Sequence, residues 1–460
     1  MEKNNTQHAR ITFYGGVGEV TGANFLIEYH NKKILVDCGM FQGSEEIEAM
    51  NHLDFPYDPS TIDALIVTHA HQDHIGRIPK LVKDGFKGVI YGTLPTRDLT
   101  EVMLEDAAGI IEYEAKKKNI SPLYTHDDIP PVMTLWKTLP YHNLFKVVDD
   151  IDCFFHDAGH VLGSAMAELR IGTQKILFTG DLGNSPSPLL HDVEMVTGMD
   201  YIIMESVYGD RNHADRENRM KELELAIKDT VYKKGTLMIP VFSLERTQEI
   251  LFELNHLVEH DIIPRIPVFF DSPLAQKVTN IYARSTEFFK DSTRKIINAG
   301  DDIFDFPGLH ITETKDESKT INAAPAPKII LAGSGMMNGG RIIHHALQYL
   351  EDPRTTLLFV GYQAPGTLGG LLSNGAHKVR IYRNDITVKA RVASIPAYSG
   401  HAGSDELVAF VDPSKDTLKK VFCVMGETSS SLFLAQRLRD QLGVHAIVPE
   451  AGMTVDIDVS

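Results

Sequence analysis

Short apolar runs, each followed by a polar loop, recur along this chain and restrict its fold more than any other feature. Runs of this kind, bounded by Gly, Pro or polar residues, are typical of buried β-strands. They occupy residues 33–36, 64–67, 175–178, 201–204, 236–239, 328–331, 357–360 and 421–424. Helical spacing lies between several of them, as in residues 248–258, where Ile250, Leu254 and Val258 share one face. We therefore predict an α/β protein with layered sheets and covering helices.

At 460 residues with 43% hydrophobic side chains, the chain is long enough for a large core and two or three domains. Cys38, Cys153 and Cys423 lie in or beside apolar runs, which favours buried thiols over disulfides or a cysteine zinc site. The polar residues 1–8 lack the apolar core of a signal peptide, and no apolar stretch of about 18 residues occurs. We therefore expect a cytoplasmic protein without a membrane span.

The formal net charge of −17 argues against a protein that coats nucleic acid through bulk attraction. It is compatible with a nuclease, because a local basic cleft and bound metal ions can hold a phosphate on an otherwise acidic surface. Charge therefore disfavours a nonspecific nucleic-acid coat but does not exclude a nuclease.

Four residues of metal-binding types follow the run at 64–67 within six positions: His69, His71, Asp73 and His74. Alternation in an extended loop places His69 and His71 on one side, while Asp73 and His74 can turn towards a second ion. Imidazole nitrogen and carboxylate oxygen suit zinc or a similar divalent ion. A surface loop rich in histidine is the competing interpretation, and the position between a buried strand and a helical pattern disfavours it.

Two further candidate ligands follow downstream. His160 lies between glycines that allow close approach of backbone and ion, and Asp181 follows the run at 175–178. A carboxylate at Asp181 could bridge two metal ions. Taken alone, each reads as an ordinary loop residue, but together with the cluster at 69–74 they favour a metal centre.

The order of these residues resembles the signature of the metallo-β-lactamase superfamily. Residues 15–22 and 37–43 are similar to the opening strands and loops of that superfamily. The resemblance implies an αββα sandwich with the metal ions at one edge of the two sheets. It also implies two zinc ions with these ligands: His69, His71 and His160 for one, and Asp73, His74 and a bridging Asp181 for the other.

A second set of motifs, from residue 204 onward, resembles the β-CASP domain. Residues 204–211 are similar to the acidic motif that opens this domain, with Glu205 as its acid. Further landmarks are residues 240–243, Arg246, Gln248, 271–275, 333–341 and 361–369, followed by the histidine motif at 399–402. The similarity is closest to bacterial and archaeal relatives of the cleavage-and-polyadenylation endonuclease, with some likeness to RNase J. The predicted domains are a metallo-β-lactamase domain in residues 1–205 with its closing part in residues 391–460, and an inserted α/β β-CASP domain in residues 206–390.

The resemblance implies a zinc-dependent ribonuclease that hydrolyses RNA phosphodiester bonds with a water activated by two metal ions. Asp73, Glu205 and His401 are its implied catalytic residues, with His401 protonating the leaving oxygen and Glu205 orienting His401. Single-stranded RNA is the expected partner, and a homodimer is expected because dimers are common in the resembled family. Small-molecule hydrolases such as lactonases are disfavoured, because they lack the motifs between Glu205 and His401.

The candidate substrate-binding residues lie in glycine-rich turns and in the last histidine motif: Ser334, Gly335, Arg341, Tyr362, Ser399 and Gly400. Backbone N–H groups in such turns can bind phosphate, although tight turns between strand and helix explain the glycines equally well. Arg341 reads as a phosphate contact or as a solvated charge. Tyr362 reads as a base-stacking residue or as a core residue.

One residue departs from the resembled family. Its members carry a metal-binding histidine in a Val-His-Gly-Glu motif, where this chain has Val424-Met425-Gly426-Glu427. Methionine is a poor zinc ligand, which leaves the second metal position one ligand short, and His445 is the only histidine nearby in sequence. The alternative function is therefore a catalytically weakened RNA-binding or scaffold protein.

Overall fold

The computed structural model describes most of the chain, namely residues 8–213, 218–364 and 366–459. The polar residues 1–7 and Pro365 of the motif at 361–369 lie outside the described residues. The α/β class predicted from the apolar runs is confirmed, since every run listed above forms a strand.

The chain divides into two compact units. The first comprises Met1–Ser187, His191–Asn212 and His401–Ser460. The second comprises Pro188–Leu190 and His213–Gly400. The domain boundaries at residues 205 and 390 stay a prediction.

Two seven-stranded sheets form the first unit. The strands of its first sheet are β1 (His8–Gly15), β2 (Asn24–Tyr29), β3 (Lys32–Val36), β4 (Ala64–Ile66), β5 (Val89–Gly92), β6 (Trp136–Thr138) and β22 (Thr454–Asp458). The strands of its second sheet are β7 (Leu144–Val148), β8 (Ile151–Asp157), β9 (Ala165–Ile171), β10 (Gln174–Phe178), β11 (Tyr201–Glu205), β20 (Lys420–Val424) and β21 (Ala446–Ile447). The spatial orders are β22-β1-β2-β3-β4-β5-β6 and β21-β20-β11-β10-β9-β8-β7, so strands from the end of the chain complete both sheets.

The helices of the first unit are α1 (Glu45–Ala49), α2 (Gln72–Ile75), α3 (Ile78–Lys83), α4 (Leu94–Lys118), α5 (Ile129–Thr134), α13 (Ser404–Val411) and α14 (Thr428–Leu442). The longest, α4, begins where the Thr93 side chain accepts a hydrogen bond from the N–H of Thr96. It ends at Asn119, whose left-handed backbone is a common helix stop. The helical pattern expected after the histidine cluster forms α3, whereas α2 begins inside the cluster and contains Asp73 and His74.

Apolar side chains alternate along the strands and divide the first unit into layers. In β3, Ile34 and Val36 belong to the core between the two sheets, together with Phe178 of the second sheet. Leu35 points the opposite way and shares a core with Leu81 of α3, outside the first sheet. A third core lies between the second sheet and the helices α13 and α14. The αββα sandwich implied by the resemblance is therefore confirmed.

A six-stranded parallel sheet forms the centre of the second unit. Its strands, in spatial order, are β14 (Leu309–Ile311), β13 (Val268–Asp271), β15 (Lys328–Ala332), β12 (Thr236–Pro240), β16 (Thr356–Phe359) and β19 (Arg391–Ser394), and a separate antiparallel pair is β17 (Lys378–Ile381) and β18 (Asn384–Thr387). The helices are α6 (Arg219–Tyr232), α7 (Arg246–Glu259), α8 (Pro273–Arg284), α9 (Asp291–Asn298), α10 (Lys315–Thr320), α11 (Ile342–Tyr349) and α12 (Leu368–Ser373). Strands β12 and β15 are buried along their whole length, which explains their continuous apolar runs. The inserted α/β domain is confirmed.

Parallel neighbours in the sheets of the first unit bring polar residues to one edge. Strands β10, β11 and β20 are adjacent and parallel. Asp181 follows β10, Glu205 is the last residue of β11, and Met425 follows β20. In the other sheet, the parallel pair β3 and β4 precedes Asp37 and His69 in the same way. Residues far apart in sequence therefore meet at the carboxyl ends of these strands.

The three cysteines are buried free thiols, as predicted. Burial raises the pKa of Cys38 and of Cys423 to about 12, so both are protonated thiols rather than metal-binding thiolates.

Within residues 8–213, 218–364 and 366–459, no helix combines the length and the apolar character needed to cross a membrane.

Candidate metal centre

His69, His71, His160 and Asp181 form the first candidate metal position (position 1), with one ligand atom of each within 4.8 Å of the others. Nδ1 of His71 lies 3.1 Å from Nε2 of His69 and 3.2 Å from Nε2 of His160. Oδ2 of Asp181 lies 3.3 Å from Nε2 of His69 and 3.5 Å from Nε2 of His160. Zinc bonds of about 2.0–2.1 Å in a tetrahedron place neighbouring ligand atoms roughly 3.3 Å apart, so these residues fit a zinc ion.

Asp73, His74 and Asp181 form a second candidate position (position 2). Nε2 of His74 lies 3.3 Å from Oδ1 of Asp181 and 3.8 Å from Oδ2 of Asp73. Among the described residues, neither Nε2 of His74 nor Oδ1 of Asp181 has a hydrogen-bond partner, and both atoms are buried. Buried polar atoms without partners are unfavourable, so their placement fits a divalent cation between them. Asp181 offers one carboxylate oxygen to each position.

Asp37 belongs to the same site, and the sequence motifs had not pointed to it as a functional residue. Its Oδ2 accepts a hydrogen bond from Nδ1 of His74 at 2.7 Å. Its two oxygens also accept hydrogen bonds from the N–H and the hydroxyl of Thr68, each at 2.8 Å. These contacts fix the His74 ring with Nε2 on the side of position 2, as carboxylates typically do for metal-binding histidines. A signal was present, because Asp37 follows an apolar run just as Asp181 does.

Burial and neighbouring charges set the protonation states of the candidate ligands. Burial lowers the pKa of His71 and of His160 well below the ordinary value, so both imidazoles are neutral and have a lone pair for a metal. Burial alone would raise the pKa of Asp181, but His74 and His69 hold it well below its usual range. Position 1 therefore offers the neutral imidazoles of His71 and His160 together with a charged carboxylate, a combination that suits zinc.

Glu205 and His401 lie beside position 1, although 196 residues separate them in sequence. Nδ1 of His401 lies 3.3 Å from the Glu205 carboxylate and 3.9 Å from Oδ2 of Asp181. The backbone N–H of Leu182 donates to Oε1 of Glu205 at 2.6 Å, and that of Ala402 donates to the carbonyl of Leu182 at 2.9 Å. Burial alone would lower the pKa of His401, but Glu205 outweighs this effect and raises it to about 9. His401 therefore carries a proton at neutral pH.

Met425 follows the end of β20, where the resembled family has its last metal-binding histidine. The side chain is buried, and it lines a small cavity together with His74 and Asp37. His445 does not take the place of the missing histidine. Its carbonyl accepts a hydrogen bond from the N–H of Val421, near the start of β20, whereas Met425 lies past the other end of that strand.

Arg341 and the other predicted substrate-binding residues all belong to the second unit. The Arg341 guanidinium donates to Oδ1 of Asp271 and to the carbonyl of Glu313, each at 2.6 Å. Its charge is therefore paired with a fully buried carboxylate rather than solvated. Ser399 is buried and Gly400 is partly buried, directly before the histidine of their motif. A role for these residues in substrate binding stays a prediction.

Ser334 and Gly335 lie in a tight turn after β15. Oγ of Ser334 accepts a hydrogen bond from the N–H of Asn338 at 3.2 Å. Gly335 packs against the ring of Phe242, and a Cβ at this position would approach the ring to 2.5 Å. Close packing thus accounts for this glycine without a bound phosphate. Tyr362 is 44% exposed, so it is not a core residue, and its role in base stacking stays a prediction.

Three family models match this chain. The model described as the metallo-β-lactamase superfamily matches residues 17–231. The model described as the Beta-Casp domain matches residues 247–372. The model described as the Zn-dependent metallo-hydrolase RNA specificity domain matches residues 385–449. Together, the matched segments contain every candidate metal ligand, as well as Glu205 and His401.

Curated relatives match over most of the chain. Ribonuclease TTHA0252 of Thermus thermophilus is 36% identical over 429 residues, which cover 93% of this chain and 96% of that protein. Transcription termination factor FttA of Methanosarcina mazei is 32% identical over 456 residues, which cover 95% of this chain and 70% of that protein. A solved structure of an Enterococcus faecalis protein of unknown function has a TM-score of 0.55 at 12% identity, covering 98% of this chain and 100% of that one. This last likeness concerns the fold alone.

Proposed function

This chain belongs to the metallo-β-lactamase superfamily and carries its β-CASP domain, and on that premise we propose that it is a hydrolytic nuclease that cuts RNA with two divalent metal ions. The observation that carries the proposal is the gathering of six candidate metal ligands, with Asp181 shared between the two positions. The RNA specificity domain matched at residues 385–449 and the name of Ribonuclease TTHA0252 support RNA as the substrate class. Three imidazoles and a carboxylate at tetrahedral spacing favour zinc at position 1.

When bound, divalent ions at these positions would lower the pKa of a water and neutralise charge on the attacked phosphate. The residues of this chain prepare the site for that chemistry. Asp181 sets the spacing of the two positions, because each of its oxygens belongs to one of them. Asp37 holds the His74 ring in one orientation. The site is therefore organised before substrate binds, which reduces the reorganisation needed during the reaction.

His401, oriented by Glu205, provides the proton that the leaving oxygen requires. The Glu205 carboxylate faces Nδ1 of His401, so Nε2 is the nitrogen that presents a proton to the leaving oxygen. Glu205 is itself fixed by the N–H of Leu182, which keeps the imidazole in one orientation. In this proposal His401 is the general acid and Glu205 is a positioning residue.

Met425 supports a second candidate function, an RNA-binding or scaffold protein with weakened catalysis. The methionine stands where the family has a metal-binding histidine, and His445 does not compensate. A centre with one ion lacks the second charge that would neutralise the attacked phosphate. The two candidates differ in whether this chain cleaves RNA when metal ions are plentiful.

Incubation with labelled single-stranded RNA at saturating zinc and manganese tests the proposal. We expect cleavage products from the unmodified chain and none from Asp181→Asn, which removes a ligand of both positions. Asp416→Asn, a change at an exposed carboxylate, is the matched control and should cleave like the unmodified chain. RNA binding without cleavage by the unmodified chain would favour the second candidate. Absence of both binding and cleavage would reject RNA as the substrate class.

Single-stranded RNA as the preferred form, a homodimer and a cytoplasmic location complete the proposal. The preference for single-stranded RNA is tested by adding unlabelled single-stranded or duplex RNA as a competitor to the cleavage of a labelled single strand. Stronger inhibition of cleavage by the duplex would contradict this preference. Light scattering on the purified protein tests the second, and cell fractionation tests the third.

A further inference from the structure

Positions 1 and 2 differ in the number of donors that this chain supplies. Position 1 has four donors, from three imidazoles and one carboxylate. Position 2 has three, from Asp73, His74 and Asp181. Four protein donors complete a tetrahedral zinc shell, whereas three leave a coordination place open. We therefore expect the two positions to hold their ions with different strength.

Met425 does not supply the missing donor. Its N–H donates to the carbonyl of Gly16 at 2.6 Å, and its Sδ is directed at the same glycine, which has no side chain in the way. The side chain packs in the apolar core between the two sheets, and a thioether is a weak ligand for hard ions. Glu427, the next carboxylate along the chain, is exposed at the start of α14.

Position 2 nevertheless keeps the form of a cation site. Nε2 of His74 and Oδ1 of Asp181 lie 3.3 Å apart and both are buried, and neither atom has a hydrogen-bond partner among the described residues. Asp37 fixes the ring that carries Nε2. A site without a ligand would be expected to satisfy such atoms internally, as most buried polar groups are. The chain therefore holds three donors in place around a position that lacks a fourth.

We infer that Met425 makes the second ion conditional on substrate: position 2 binds a divalent ion firmly only when a phosphate oxygen of bound RNA completes its coordination. The inference rests on the proposed function, because it takes RNA as the ligand of this site. By thermodynamic linkage, RNA that strengthens ion binding is itself bound more strongly by the same factor when the ion is present. The change Met425→His supplies the fourth donor in advance and should remove this cooperativity.

The chemistry of the donors also separates the ions. Three imidazoles and one carboxylate suit zinc at position 1. Two carboxylates, one imidazole and a phosphate oxygen suit a harder ion, and Mn²⁺ is the appropriate probe for position 2. The centre would then hold a permanent zinc ion and an exchangeable second ion.

Metal counting by elemental analysis and native mass spectrometry tests the first half of the inference. After loading with Zn²⁺ and Mn²⁺ and dialysis, we expect about one firmly held ion in the unmodified chain and about two in Met425→His. The backbone at Met425 is left-handed, a conformation that histidine adopts more readily than most residues, so this variant should fold. Met425→Leu is the matched control, with a similar volume and no donor, and it should retain about one ion. Retention of one zinc ion at position 1 in each variant would indicate that the site is folded.

Calorimetric titration with Mn²⁺ tests the coupling to RNA. The probe is a single-stranded 2′-O-methyl oligoribonucleotide, which keeps all phosphate oxygens and is more resistant to hydrolysis than unmodified RNA. In the unmodified chain and in Met425→Leu, we expect the probe to lower the dissociation constant of Mn²⁺ about tenfold or more. In Met425→His we expect a change of less than about threefold, because the shell is already complete. The reverse titration, of RNA with and without Mn²⁺, should give the same factors.

Two firmly held ions in the unmodified chain without RNA would overturn the inference, and so would a Mn²⁺ affinity that RNA leaves unchanged. Loss of the RNA-dependent Mn²⁺ site in Met425→Leu would identify the thioether as a ligand and would also overturn it. Cleavage of unmodified RNA is scored separately. RNA-dependent Mn²⁺ binding without cleavage would refute the proposed nuclease function and support the inference. Cleavage by an unmodified chain that holds two ions firmly without RNA would support the nuclease function and overturn the inference.

Discussion

Oδ2 of Asp37 accepts a hydrogen bond of 2.7 Å from Nδ1 of His74, and both side chains are almost completely buried. The same carboxylate accepts hydrogen bonds from the N–H and the hydroxyl of Thr68. Asp37 therefore connects the end of β3, the end of β4 and helix α2, which carries the candidate ligands Asp73 and His74. Its backbone is left-handed, a conformation that aspartate tolerates better than most residues.

Asp37→Ala should lower the free energy of unfolding of the metal-free protein by about 3 kcal/mol, because three buried donors lose their acceptor. Chemical denaturation followed by circular dichroism measures the change. Asp416→Ala, at an exposed aspartate, should change it by less than about 0.5 kcal/mol. Equal effects of the two substitutions would show that Asp37 does not anchor this region.

His401→Ala should slow RNA cleavage by about 10²–10⁴-fold without changing the zinc content, because it removes the proposed general acid and no ligand of position 1. Loss of zinc in parallel with the loss of cleavage would instead indicate that His401 is a metal ligand. Cleavage at the unmodified rate would reject its role as the acid.

Glu205→Gln should move the alkaline limb of the cleavage profile to lower pH. Burial alone would lower the pKa of His401, and the Glu205 carboxylate raises it to about 9. Without that charge the His401 imidazole loses its proton at lower pH, so the protonated form that acts as the general acid disappears at a lower pH. Rates measured from about pH 6 to pH 10 report this shift. An unchanged profile with a uniformly lower rate would indicate a structural role only.

His156→Gln should destabilise the protein more at about pH 6 than at about pH 10. His156 lies between two glutamates, with Nδ1 2.9 Å from Oε1 of Glu194 and Nε2 2.9 Å from Oε2 of Glu168. Burial alone would lower the pKa of His156, but the glutamates raise it to about 9. A raised histidine pKa stabilises the folded chain fully below the unfolded value of about 6.5, and this contribution is lost as pH rises through about 9.

Thermal unfolding of the unmodified chain and of His156→Gln across that pH range measures the difference. His52→Gln, at an exposed histidine, is the control and should show no such trend. If the loss of stability caused by His156→Gln stays constant with pH, this would contradict the proposed ion pairs.

Arg341→Ala should lower the free energy of unfolding by about 3 kcal/mol, because it leaves the buried Asp271 carboxylate without its guanidinium partner. Arg380→Ala, at an exposed arginine of the same unit, should have little effect on stability. Denaturation curves and RNA binding measured on both variants test this. Weaker RNA binding with unchanged stability would restore Arg341 as a phosphate contact and contradict the structural role.

Much of the fold could be predicted because its signals are local. Apolar runs such as residues 175–178 and 421–424 became strands β10 and β20, since burial of a short segment depends on its own side chains. The cluster from His69 to His74 was recognisable because its members lie within six residues. Asp37 was not recognised, since a single aspartate after a strand has no distinguishing neighbours in sequence.

The sequence by itself determined the class of the fold, the family and the types of ligand available for a metal. Only the tertiary structure decided that Asp37 would hold His74, that Asp271 would pair with Arg341, and that Sδ of Met425 would lie against Gly16. The physical reason is that residue type and periodicity are properties of a short segment. Contacts between distant residues depend on which strands lie side by side and in which register, and no single segment contains that information.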